Sequence, residues 1–385
     1  GDNFIMKHAF AVIGANFGDE GKGLMTDYFC SQNKKSLNIR FNGGAQAGHT
    51  VVTPDGKRHV FSHIGSGTFS GADTYLSEFF TVNPIMFMKE HSIIPECEIY
   101  ISEKACVSLP CDMMINQFAE NSSGKKRHGS CGFGIYETKL RNDFLRIDFG
   151  NSFSENQLCE KIRYINSVYV PERLKNLGFD KIPNELSELL YDDNITANFV
   201  DDFFRMKRIA HTCDDSILER YNNAVFEGAQ GLLLDCDRME YFPNLTPSNT
   251  GMKNVRTILN QFSDTETEIC YVTRSYFTRH GAGKFNTESY EISSEYNLHD
   301  KTNQTNQYQG NFRYGFFDTD EFLKSINLER KFLTENDCIS LCVTHLDETG
   351  EIICRDKKIS PHNIAESIKS EKLYCSYGET RENIK

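Results

Sequence analysis

HAFAVIGANFGDEGKGLMTDYFC, His8–Cys30, is the stretch on which the fold turns. His8–Ile13 is a short apolar run, GANFGDEGKG is glycine-rich, and Leu24–Cys30 is amphipathic. That succession reads as strand, phosphate loop and helix. Working outward, Ser36–Phe41 (SLNIRF) is a second strand that ends in another glycine-rich loop, Gly43–His49 (GGAQAGH). Thr50–His63 alternates apolar and polar residues about Pro54-Asp55-Gly56, which predicts a β-hairpin. Further strands are expected at Ala224–Phe226, Ile269–Thr273 and Ile339–Thr344, and longer helices over Glu155–Val168 and Asn184–Arg208. Strands alternating with helices predict an α/β fold: a mostly parallel central sheet with surrounding helices, and glycine-rich nucleotide loops at the carboxyl ends of the strands. Nothing reads as a linker, so one large domain with insertions is expected over residues 6–385, with residues 1–5 set aside as an expression remnant. The polar, basic run Asn121–His128 (NSSGKKRH) reads as a loop.

Composition narrows the function. With 385 residues, 39% of them hydrophobic and 25% charged, the chain has material for a real core. A net charge of −12 argues against a basic face for nucleic acid or an anionic membrane, so neither partner is expected. Apolar runs such as Ala9–Ile13 are too short to cross a bilayer. The thirteen cysteines are scattered, with no CxxC pair. They read as reduced thiols of a cytoplasmic protein, and not as a zinc site.

Within GDEGKG, Gly18–Gly23, successive glycines let backbone N–H groups converge on phosphate oxygens, and the helix that follows adds its positive end. Lys22 would neutralise phosphate charge. The pattern is not GxxxxGK[ST], because position 16 is Asn and position 23 is Gly. Asp19 beside bound phosphates would be repelled unless a metal ion or a proton accompanies it, so it reads as a metal ligand, a base, or both. Four more glycine-rich segments have the same character: Gly43–Thr50 with His49, Gly129–Gly134 (GSCGFG) with Ser130, Glu227–Leu234 (EGAQGLLL) with Gln230, and Arg279–Gly283 (RHGAG). Five such loops in one chain point to a nucleotide.

In their order, GDEGKG, NGG-x-x-AGHTVV, FEGAQG-x-LLD, Thr246–Thr250 (TPSNT), TR-x-GAG-x-F-x-TE and T-x-LD closely resemble the adenylosuccinate synthetase family, from about Val12 to Asp347. The resemblance implies a homodimeric purine-nucleotide ligase. It would join L-aspartate to the six-position of IMP, with GTP as phosphoryl donor and Mg²⁺ as cofactor, on a central mostly parallel sheet. It implies that Asp19 is the base for the purine N1 proton, that His49 is the acid, and that Lys22 contacts the phosphoryl group in flight. Asp19 and the carbonyl of Gly48 would hold Mg²⁺. Nucleotide binding would involve Gly18, Glu20, Gly21, Gly23, Thr50, Ser130, Cys131, Gln230, Thr246, His345, Asp347, Ser376 and Gly378. Aspartate would be held by Arg313, Thr302 and Thr305, and Arg141 would be the arginine that reaches the partner subunit.

The departures from the family pattern are local. His345 stands in Thr344–Asp347 (THLD) where the family usually has Lys, which leaves GTP and ATP both open. The aspartate segment, Thr302–Gly315 (TNQTNQYQGNFRYG), keeps one arginine, and Gln46 stands where the family has Asn. The ending Ser376–Arg381 (SYGETR) is also altered. These features resemble phage synthetases that work in a host cytoplasm and join aspartate to dGMP, with ATP or GTP as donor. Guanine and hypoxanthine share the 6-oxo and N1–H groups, so Asp19 can activate either. A nucleotide-binding sensor that kept the fold without turnover is the third alternative, and intact Asp19, Lys22 and His49 count against it.

Overall fold

β1 (His8–Gly14) lies inside a nine-stranded sheet in which every neighbouring pair runs parallel. The order across the sheet is Lys372–Cys375, Asp337–Thr344, Glu266–Arg274, β1, Asn223–Glu227, Leu37–Arg40, Asp73–Leu76, Ile99–Ser102 and His211–Cys213. This computed structural model describes residues 6–33, 35–95, 97–122, 132–262, 264–298 and 312–385. The expected mostly parallel sheet with surrounding helices is therefore the observed one. No described helix is long and apolar enough to cross a membrane.

Both faces of the sheet are covered, as a parallel sheet requires. Along β1 the side chains alternate between them. Ala9, Ala11 and Ile13 join a core with Val255 and Ile258 of the helix Met252–Leu259 and with Phe322 of Thr319–Glu329. Val12 turns to the other face, against Met25, Phe29 and Cys30 of α1 (Lys22–Gln32). A second core, containing Leu76, Ile99 and Ile101, packs beneath the helices Pro84–His91, Pro110–Ser122 and Asp193–Ile209.

Chain order fixes where a ligand fits. From β1 the chain crosses through α1 to Leu37–Arg40, on the far side of Asn223–Glu227; from Asn223–Glu227 it later crosses β1 to Glu266–Arg274. Connections thus leave in opposite directions at β1 and Asn223–Glu227, and in open α/β sheets such a switch point, at the carboxyl ends of the strands, is where ligands bind. Because all strands run the same way, the loops after Gly14, Arg40, Glu227, Arg274 and Thr344 gather at one edge.

Several expectations need correction. Asn184–Arg208 is two helices, Asn184–Leu190 and Asp193–Ile209; the side chain of Asp192 accepts from the Asn194 amide and starts the second. Glu155–Val168 is α-helical to Tyr164, then widens into a π-turn over Ile165–Tyr169 ahead of Pro171, which has no N–H to donate. α1 is less amphipathic than expected: the β-hairpin His49–Val52/Arg58–Phe61 and the carboxyl terminus cover its outer side, and buried Asp27 pairs with Arg381 at 2.9 Å. The short strands Asp73–Leu76, Ile99–Ser102, His211–Cys213 and Lys372–Cys375 were not expected. Of the basic run 121–128, only Asn121 and Ser122 lie within the described residues, where they end a helix.

Candidate active site

The loop after β1 is organised from within by Glu20. Its carboxylate is fully buried and accepts from the Asn16 amide at 3.0 Å and the Gly18 amide at 2.9 Å, while Lys22 Nζ lies 2.5 Å from its other oxygen. Gly14 and Gly231 are glycines because a Cβ on either would collide with this carboxylate. Glu20 was expected to meet the nucleotide; instead it turns inward and takes up the Gly18 amide, one of those expected to cradle phosphate, together with that of Asn16. What remains for an anion is the start of α1. Gly21, at φ 103°, is its N-cap, makes no side-chain cap hydrogen bond, and no acidic residue stands in the first turn. Uncapped helix amides beside a lysine are a ready anion site.

Asp19 sits next to this point at φ 60°, a conformation that costs free energy outside glycine. Gln230 and His345 share it, at φ 63° and 61°, so three of the six described non-glycine residues with positive φ lie in these loops. Asp19 is held at two points. Arg274 Nε donates to its backbone carbonyl at 2.6 Å, and His280 Nε2 lies 3.1 Å from carboxylate Oδ2. Burial pushes the carboxyl pKa up, but the His280 bond and the charges of His280, Arg274 and Lys22 outweigh it and leave it below the usual value. Asp19 is thus an anion at neutral pH, with Oδ1 unbonded among the described residues.

His49 opens the strand His49–Val52, and its ring is held from behind. Nδ1 lies 2.5 Å from Oε1 of Glu227, the last residue of Asn223–Glu227. Glu227 also accepts from the Ser66 amide at 3.0 Å and from the Ser66 hydroxyl. Burial raises its pKa, yet Arg40, His49 and Ser66 prevail and bring it to about 2. For His49, burial prevails over Glu227 and, with the Arg40 and Lys22 charges, lowers the pKa. The ring is therefore neutral, with its Nδ1–H donated to the Glu227 carboxylate and Nε2 left unprotonated. Donation from Nε2 requires a second proton, which negative phosphates nearby would favour. Gly23 lets the first turn of α1 close on this strand: a Cβ there would stand 3.0 Å from the His49 Cβ.

At the next loops, Gln230 and Thr246 are half-buried, and the Thr246 amide is bonded to Leu234 at 2.9 Å. Lys139 reaches the same turn and donates to the Pro247 carbonyl. On the other flank, His345 Nδ1 lies 2.9 Å from Thr344 Oγ1, and Asp347 is exposed on the short helix Leu346–Thr349. The Leu346 amide donates to Ser376, and Ser376 Oγ to the Gly378 carbonyl, so THLD and SYG adjoin. Thr50 follows His49, and Gly48 is exposed beside it. Ser130, Cys131, Thr302 and Thr305 lie outside the described residues.

Two arginines are not where expected. Arg141 is completely buried, with Nε 3.0 Å from Asp112 and bonds to the carbonyls of Val107 and Leu145. Within this chain it is a core residue tied to Asp112, and not the outward-facing arginine that was expected. Arg313 lies on the strand Phe312–Gly315, and its fork is filled by Glu288 at 2.9 and 2.6 Å and by the carbonyls of Gly281 and Gly283. It staples the GAG turn, which weakens its expected part as carboxylate anchor. Conversely, His280 and Arg274 were missed, although RHGAG had been singled out for its glycines.

Asp19 offers an anionic oxygen of the kind a hard cation takes, and Gly48, the other expected ligand, is exposed. A second acidic group, Asp235, Cys236 and Asp237, has ligand atoms within 4.8 Å of one another. It is taken up by Asn249, Thr250 and Lys253.

Comparison with known proteins identifies the family. The family model for adenylosuccinate synthetase matches residues 11–354. The adenylosuccinate synthetase of Lactobacillus acidophilus is 31% identical over 294 residues, 73% of this chain and 65% of that protein. That of Buchnera aphidicola is 27% identical over 97% of this chain and 84% of its own length. The match thus spans just under two thirds of relatives such as the Lactobacillus protein. Among solved structures, a fully ligated adenylosuccinate synthetase from Plasmodium falciparum superposes with a TM-score of 0.71 at 19% identity, over 97% of this chain and 98% of that one. Cyanophage S-2L succinoaminodeoxyadenylate synthetase, bound to dGMP and dATP as an energy donor, superposes with a TM-score of 0.64 at 13% identity, over 99% and 95%. With its family motifs gathered at one edge of a shared fold, the chain belongs to the adenylosuccinate synthetase family.

Proposed function

We propose that this protein is a carbon–nitrogen ligase that joins L-aspartate to the six-position of a purine 5′-monophosphate, with IMP as acceptor and GTP as donor. The observation that carries the reading is the pair of held groups at the switch point: an ionised, partly exposed Asp19 and a buried His49 fixed by Glu227. Asp19 takes the N1 proton, and the 6-oxygen attacks the γ-phosphorus. The bond from that phosphorus to the β–γ bridging oxygen breaks, and nucleoside diphosphate leaves. The aspartate amine then adds at C6, phosphate departs with the 6-oxygen, and the amine nitrogen gives up a proton. Lys22 and the open amides of α1 would steady the phosphates, where preorganised charge does most. Mg²⁺, held by Asp19 and Gly48, would add charge neutralisation on the donor phosphates. A homodimer in the cytoplasm belongs to the same reading, without Arg141 as the shared residue.

A second reading takes dGMP as acceptor and ATP as donor. It is favoured by His345 in place of a lysine at the triphosphate-base loop and by the fold shared with the cyanophage protein. Phosphate release measured with aspartate, Mg²⁺ and each combination of IMP or dGMP with GTP or ATP separates the two. The first expects IMP with GTP to be fastest; dGMP with ATP fastest establishes the second.

A further inference from the structure

We infer that His280 is a positioning residue for Asp19 and that Phe312 sets it, an inference that rests on Asp19 being the base. Asp19 stands on a turn at φ 60°, where the backbone alone does not aim the side chain. Among the described residues the ion-pair partner of its carboxylate is His280, whose Nε2 lies 3.1 Å from Oδ2. His280 ends the strand Phe277–His280, which pairs antiparallel with Phe312–Gly315 so that His280 faces Phe312 across the ladder. The two rings lie 4.7 Å apart, and the guanidinium of Arg274, which holds the Asp19 carbonyl, lies 5.4 Å above the same Phe312 ring. Both holders of Asp19 therefore rest on one aromatic side chain. A carboxylate that must meet a purine N–H within hydrogen-bond reach gains from such a support, since a misplacement of about 1 Å costs about a hundredfold in rate.

The test uses the full chain, the phosphate-release assay, and the acceptor and donor that the wild type turns over fastest. His280→Leu removes the donor, whereas His280→Gln keeps an N–H at similar reach. His280→Leu is expected to lower kcat about ten- to hundredfold, with the KM for the purine monophosphate within about twofold and the melting temperature nearly unchanged. His280→Gln is expected to retain most of kcat, and Phe312→Ala to fall between them. Equal losses in the Leu and Gln variants, a change confined to the purine KM, or wild-type turnover in His280→Leu each overturn the inference. Full turnover in Asp19→Asn is a different failure: it removes the base reading on which the inference stands.

Discussion

Two carboxylate–imidazole pairs stand at the carboxyl ends of the strands, and they are built in opposite senses. Asp19–His280 is open: 3.1 Å apart, with side chains 25% and 16% exposed. Glu227–His49 is closed: 2.5 Å apart, 0% and 8% exposed, with Ser66 completing the shell. On the proposed reading, the carboxylate of the open pair is the working group and the imidazole holds it. In the closed pair the carboxylate is sunk in the protein, and the imidazole is the member that the proposal puts to work. The same two functional groups take exchanged roles because burial, and not residue type, decides which one meets a ligand.

Asp19→Asn should have the largest kinetic effect. It removes the proton acceptor and weakens the cation site, and a positioned base is worth about 10²–10⁴ in rate. Nucleotide binding, read by equilibrium fluorescence or calorimetry, should persist; near-normal turnover would break the comparison at its open end. His49→Asn should lower kcat far more than it weakens binding, and Glu227→Gln should follow it, because an amide cannot support an imidazolium. Glu227→Gln should also cost stability, about 1.5–3 kcal/mol for weakening the buried charge-assisted bonds from His49 and Ser66, whereas His280→Gln should leave the unfolding midpoint almost unmoved. If both variants unfold alike, the distinction between open and closed pairs is wrong.

Two smaller effects sharpen the contrast with purely structural pairs. Arg141→Leu strands Asp112 in the core and should destabilise by about 3–5 kcal/mol, while any folded fraction keeps its KM values. Arg313→Leu and Glu288→Gln should resemble one another, since each frees the GAG turn. A rise of about ten- to hundredfold in the aspartate KM for Arg313→Leu alone would restore Arg313 as the carboxylate anchor. The smallest effect is on acid stability. Glu227 titrates at about 2 in the fold and near 4.5 when unfolded, so it adds stability above pH 4.5 that fades as pH falls towards 2. Across that window the stability gap between wild type and Glu227→Gln should close; a constant gap would mean that Glu227 is not a stabilised anion.

The sheet was legible because its central strands are largely apolar and buried on both faces, and three of them, β1, Leu37–Arg40 and Asn223–Glu227, run into glycine-rich loops. The edge strands were not: Asp73–Leu76 and His211–Cys213 are short and mix polar with apolar residues, so their pattern resembles a loop. Asp19, Lys22 and His49 could be singled out because their motifs are contiguous. Glu20's inward turn was hidden, since nothing in GDEGKG says which acid faces the ligand. Arg141 misled for a similar reason. A charged residue reads as exposed until its partner is known, and Asp112 lies 29 positions away. His280 was passed over because the glycines around it drew the reading towards backbone shape and away from its side chain.

The most direct measurement of the central claim is phosphate release from GTP or ATP, with and without aspartate and with and without a purine monophosphate, together with the mass of the nucleotide product. The account predicts release only when aspartate, purine monophosphate, nucleoside triphosphate and Mg²⁺ are all present, with one succinylated purine nucleotide formed per phosphate and none in Asp19→Asn. Phosphate release that proceeds without aspartate, or a bound nucleotide that is never consumed, would contradict it.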